Sequence, residues 1–109
     1  MDLEAVRTEL EQMVRESDAE ILALSIEPDG EGDEADLSAE LTAADREEAL
    51  AEAAHARRGE ALAALSRLEA GTYGVCVDCG RPIPEDRLSF RPEVARCLSD
   101  QKAFEDREG

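Results

Sequence analysis

The chain has 109 residues, the size of one small domain, and aromatic residues make up only 3% of it, which excludes a large aromatic-lined core. Lys and Arg number 12 against 28 Asp and Glu, and a formal net charge of -16 excludes the basic footprint of a protein that grips nucleic acid. Because 42% of the residues are hydrophobic, much of that alanine, the composition favours long charge-faced helices over disorder despite 37% charged residues.

The amino terminus, Met1-Asp2-Leu3-Glu4, has neither the basic start nor the apolar stretch of a secretory signal. No run reaches the ~18 apolar residues of a membrane span. A cytoplasmic protein away from membranes is expected. From Leu3 to Leu24, the apolar residues Leu3, Val6, Leu10 and Met13 are spaced by three and four, and Ile21 and Leu24 resume the stripe after Ser17 and Asp18. This predicts one amphipathic helix of roughly 33 Å at 1.5 Å per residue. Pro28, Gly30 and Gly32 stop it within a carboxylate-rich run from Glu27 to Glu34, where a solvated chain reversal is expected.

A second helix is predicted from about Asp36 or Ser38 to Ala70, with Leu37, Leu41, Ala44, Leu50, Ala54, Leu62, Leu65 and Leu68 as its stripe and Gly71 as its stop. Its ~50 Å exceeds the first helix, so the two are expected to form an antiparallel coiled-coil hairpin with the acidic turn at its tip. The seam is imperfect: Glu47, Glu48 and Arg58 interrupt it, and Gly59 costs up to ~1 kcal/mol relative to alanine. His55 falls at helical spacing from Ala51 and Leu62 and is read as a half-buried seam residue without a functional role. The predicted fold is therefore mostly α. Residues 1–109 are read as a single domain, with the hairpin at 1–70, its acidic tip at 27–38, and a C4-type finger-like globule with a short terminal helix at 71–109.

The chemistry lies in that last part. Cys76-Val77-Asp78-Cys79-Gly80 has the spacing of a zinc knuckle, in which two thiolates from one turn reach one metal and the following glycine relieves the backbone. Cys97-Leu98-Ser99-Asp100 follows, so the pattern C-x2-C-x17-C-x2-D is that of a two-knuckle zinc site with an aspartate in place of the fourth cysteine. Zn2+ accepts a carboxylate oxygen at ~2.0 to 2.2 Å, so Asp100 can complete a tetrahedron, and water can fill the same corner. Two other readings stay open: a metal-free knuckle packed by Tyr73, Val75, Ile83, Leu88 and Phe90, and a Cys76–Cys79 disulfide. The last lacks the strand-helix alternation that accompanies thioredoxin-like chemistry.

At the tip, Asp29, Glu31, Asp33 and Glu40 fall at four ligand positions of a calcium-binding loop, but Glu34 stands where its sharp turn requires glycine. No nucleophile with its base and no phosphate-cradling glycine loop is present, so no enzymatic activity is expected.

The finger Cys76-x2-Cys79-Gly80-x2-Ile83-x3-Arg87-Leu88-x3-Pro92-x4-Cys97-x2-Asp100, preceded by Gly71-Thr72-Tyr73-Gly74, resembles the DksA/TraR family of bacterial transcription factors. The resemblance runs from residue 33 to about 105. It implies a regulator of transcription initiation that binds RNA polymerase without contacting DNA, by inserting its coiled-coil tip through the secondary channel. The family's tip pattern Asp-x-x-Asp-x-Ala falls on Asp33, Asp36 and Ser38, with a small residue that can also serve as an N-cap in place of alanine. The family also responds to guanosine tetraphosphate through basic residues. The corresponding positions here are Glu60, Arg91 and Gln101, of which Arg91 alone is basic, so a weak or absent response is expected, because a carboxylate at position 60 repels a polyanion. A monomer is expected. Alternative readings are a Gre-like transcript-cleavage factor, whose tip carboxylates would hold Mg2+, and an acidic helical metal-binding or interaction module with another partner.

Overall fold

The computed structural model describes residues 1–25 and 37–108, with side chains described at 1–24 and 43–108. Four helices are found among them: α1 (Leu3–Ser25), α2 (Leu37–Ala70), α3 (Glu85–Phe90) and α4 (Leu98–Glu108). Both long helices match the predicted spans within a residue or two. Asp2 caps α1, its Oδ1 accepting from the backbone N–H groups of Glu4 at 3.1 Å and Ala5 at 3.4 Å. The helix α2 begins at Leu37, so the backbone of Ser38 lies inside it and does not form the N-cap expected above. It ends in a Schellman turn, with Thr72 N–H on the Arg67 carbonyl at 2.8 Å and Gly71 N–H on that of Leu68 at 3.3 Å. Gly71 sits at a φ of 79°, the left-handed conformation that only glycine adopts without strain.

The two helices pair as an antiparallel hairpin, and its seam differs from the leucine stripe read along α2. Shielded positions run at spacings of three and four through Val6, Leu10, Met13, Ser17, Glu20 and Leu24, and opposite them through Ala51, Ala54, Arg58, Ala61, Leu65 and Leu68. Leu10, Ser17, Ala54, Ala61 and Ala64 are fully buried. By contrast Leu50 and Leu62 are 45% and 39% exposed, and His55 is exposed rather than half-buried. Alanine lets the helix backbones approach closely, and leucines to either side of that line are left flanking the contact. Arg58, which interrupts the seam as expected, turns outward to Asp18 at 2.5 Å, and Arg57 reaches Glu20 at 3.1 Å. These cross-helix pairs are half-exposed, worth ~0 to 1 kcal/mol each.

At the root, Tyr73 joins hairpin to finger. Its ring packs both against the cluster of Leu10, Ala61 and Ala64 and against that of Cys76, Ile83, Leu88 and Val94, and its hydroxyl donates to the Pro92 carbonyl at 2.9 Å. The finger core corrects the expected packing set in two places. Phe90 is 86% exposed and Val75 is 39% exposed, while Val94 takes an inward position. Phe90 is the last residue of the six-residue helix α3, whose inward face is used by Leu88.

Candidate metal centre

The first knuckle is built by local backbone bonds. Gly80 N–H donates to the Cys76 carbonyl at 3.0 Å, Cys76 N–H to that of Arg81 at 2.9 Å, and Val75 bridges Pro82 in antiparallel fashion. Gly80 has a φ of 73°, the conformation that the turn required of it. The second knuckle is the start of α4: Gln101 N–H donates to the Cys97 carbonyl at 2.9 Å, making Cys97 the residue before the first turn. Asp100, three residues on, thereby lies on the same face as Cys97. A bond from Val77 N–H to the Ala95 carbonyl, 2.9 Å, draws the two knuckles together.

The result is one cluster, Cys76, Cys79, Cys97 and Asp100, with one ligand atom from each residue, all within 4.8 Å of one another. Cys76 Sγ lies 3.1 Å from Asp100 Oδ2, and the sulfurs of Cys79 and Cys97 are 4.0 Å apart. Thiolates on a tetrahedral zinc at ~2.3 Å stand ~3.8 Å from each other, so the donor set fits Zn2+ in both chemistry and spacing. Asp100 stands in this set where a fourth cysteine would otherwise complete it.

The protonation pattern follows from having one carboxylate among three thiols. Burial pushes the Cys76 thiol up, but the backbone N–H groups of Cys79 and Cys97 aimed at its sulfur leave it below the ordinary value. The Cys79 thiol is pushed up to about 12, first by its hydrogen bond to Asp100. Asp100 in turn is held below the usual carboxylate range by the thiols of Cys79, Cys76 and Cys97. Without metal the carboxylate is therefore ionised and keeps the Cys79 thiol protonated. A bound metal must displace that proton.

A second group of sequence-selected residues also comes together. Glu60 of α2, Arg91 and Gln101 line one cavity of about 610 Å3 between α2 and the finger, shared with Arg67, Arg87 and Arg96. Partial burial, and then the charge of Glu93, hold the Glu60 carboxyl above its ordinary value, against the opposing effect of Arg91 and Arg57. Glu93 is 8% exposed and takes Arg91 in an ion pair at 3.3 Å. The tip residues Asp33 and Asp36 lie outside the described residues, as does the side chain of Ser38.

Residues 71–105 match the prokaryotic dksA/traR C4-type zinc finger. Over nearly the whole length, the chain is similar to the solved structure of transcription factor DksA2 from Pseudomonas aeruginosa, with 30% identity, a TM-score of 0.62, and coverage of 94% of this chain and 76% of that one. The chain belongs to the DksA/TraR family. A stretch of 46 residues is also 41% identical to an uncharacterized protein of Aquifex aeolicus (strain VF5), covering 42% of this chain and about a third (32%) of that protein. Membership bears out the resemblance read from the finger motif, the mostly helical hairpin architecture, and the compatibility of the cysteine cluster with zinc. The protein is a DksA-like transcription factor. No described helix is long and apolar enough to cross a membrane.

Sequence reading missed Ser17, Val94, Arg96 and Phe104. Ser17 could have been placed by continuing the three-four spacing through a small polar residue. Arg96 and Phe104 carried a fainter signal: one precedes a ligand cysteine, and the other follows Asp100 by one helical turn.

Proposed function

We propose that this DksA-like factor binds bacterial RNA polymerase directly, without DNA, and regulates initiation by inserting the acidic tip of its hairpin through the secondary channel. The observation that carries this reading is the rod: α1 and α2 run side by side, the finger caps the Ala70 end, and the molecule is 55 × 31 × 20 Å. A ~50 Å helix on a narrow hairpin can deliver carboxylates into a channel that the finger cannot enter. Asp36 is the first candidate for the effector side chain, with Asp33 and Ser38 beside it on the tip segment. The net charge of -16 argues against an independent hold on DNA.

A weak guanosine tetraphosphate response belongs to the same reading. Glu60 adds negative charge to the arginine-lined cavity, and Arg91 is already paired with Glu93, so a polyanion meets fewer free cations there.

Displacement of a labelled Gre factor from core polymerase tests the proposal, with the Asp33→Asn/Asp36→Asn double variant alongside. Displacement by the parent chain, with altered promoter output that the double variant loses, is the expected result. No displacement at micromolar concentration by folded protein would sink it.

A further inference from the structure

We infer that Arg96 is a positioning residue for the metal centre, tying the two knuckles together and setting Asp100 at the fourth corner. The inference rests on the zinc reading of the Cys76, Cys79, Cys97 and Asp100 cluster. Arg96 immediately precedes Cys97, and its Nε donates to Asp78 Oδ2 at 2.6 Å, inside the first knuckle between Cys76 and Cys79. Its guanidinium carbon lies 4.0 Å from the centre of the Phe104 ring, on α4 one turn beyond Asp100. Its own carbonyl accepts from Arg87 Nε at 3.2 Å, so the backbone from which the side chain springs is anchored to α3. One residue thus touches or adjoins every segment that supplies a ligand.

The reason this arrangement bears on the metal is the weak anchorage of α4. The helix has no buried residue of its own, so few contacts decide where its first turn lies. The Arg96–Phe104 stack is one of them, and Asp100 is in that first turn. A planar guanidinium can donate along its edge and stack on its face at once, which an ammonium cannot. Three thiolates and a carboxylate around a divalent ion also leave an excess of negative charge. Arg81 lies close enough to Asp100 to offset part of it, while the Arg96 cation is cancelled by Asp78 and acts through geometry.

The test uses the full chain in zinc competition against a chromophoric chelator, and Co2+ substitution read by absorption. Arg96→Met and Phe104→Leu are each expected to weaken zinc binding about ten-fold. Their cobalt ligand-field bands should move toward those of Asp100→Asn, while the thiolate charge-transfer bands persist and the helical circular dichroism is unchanged. Arg96→Lys, which keeps charge without the fork or the stack, should not restore the parent spectrum. Zinc affinity within about two-fold of the parent, together with a parent-like cobalt spectrum, in folded Arg96→Met would overturn the inference. If Arg96→Met does not fold, Phe104→Leu decides by the same two readings, since it leaves the Asp78 pair in place. A parent spectrum in Asp100→Asn would also overturn it, by removing Asp100 from the coordination sphere. Failure of the parent chain itself to take up either metal would instead strike down the zinc reading.

Discussion

The hairpin and the finger solve the same problem, ordering a short chain, with opposite means. In the hairpin, small side chains repeat along a long contact: Ala54, Ala61 and Ala64 close on Leu10 and Ser17, and the order is spread over many turns. Among the described residues of the finger, Cys76, Ile83, Leu88 and Val94 form the buried cluster, and one of those four belongs to the candidate metal cluster. A seam of alanines tolerates loss at any one point, whereas a core that small depends on chemistry at its edge. Substitutions should therefore act locally in one half and through the metal in the other, with Tyr73 as the joint between them.

The largest effect is expected from Leu10→Ala, which empties the one large, fully buried apolar side chain among the described residues of the seam and should lower stability by about 3 kcal/mol in chemical denaturation. Zinc affinity of that variant should stay at the parent value. A parallel loss of metal would break the separation of the two halves.

Next comes the pH dependence of zinc binding. The Cys79 thiol, pushed up to about 12, must lose its proton when metal binds, whereas Asp100, held low, is already ionised. That proton competes more strongly as pH falls, so affinity should drop on acidification by at least about ten-fold per pH unit. Chelator competition between pH 6 and 8 measures this slope. A flat profile would show that the thiols are already ionised in the free protein.

A smaller gain is expected from Ser17→Ala. The Ser17 hydroxyl is buried in the seam with no hydrogen-bond partner, so its removal should stabilise the hairpin by about 1 kcal/mol, read as a higher Tm. The smallest effect is that of Gly59→Ala. A Cβ there meets nothing within 4 Å, and the gain in helix propensity should be about 0.7 kcal/mol. An unchanged Tm in both would mean that the hairpin does not limit the stability of the chain.

Much of this architecture was legible in residue order because its signals are local. Helix ends are written in Asp2 and Gly71, and the knuckle in the spacing of Cys76, Cys79 and Gly80, each governed by bonds spanning a few residues. The seam was legible only in part. Alanine is so frequent along α2 that several overlapping stripes satisfy helical spacing, and the leucines at 50 and 62 are the more conspicuous ones. Which stripe faces α1 depends on how closely two backbones can approach, a property of the pair rather than of either helix.

The same division holds in the finger. That Cys76, Cys79, Cys97 and Asp100 would form one cluster can be read from spacing, because each knuckle is a short local turn. The placement of Phe90 outside, Val94 inside and Arg96 between Asp78 and Phe104 cannot, because each depends on segments separated by many residues meeting in space. Local order follows from backbone bonds and turn chemistry encoded within a few residues. The packing of one helix on another and the final corner of the metal cluster follow from excluded volume and charge among segments that only the folded chain brings together.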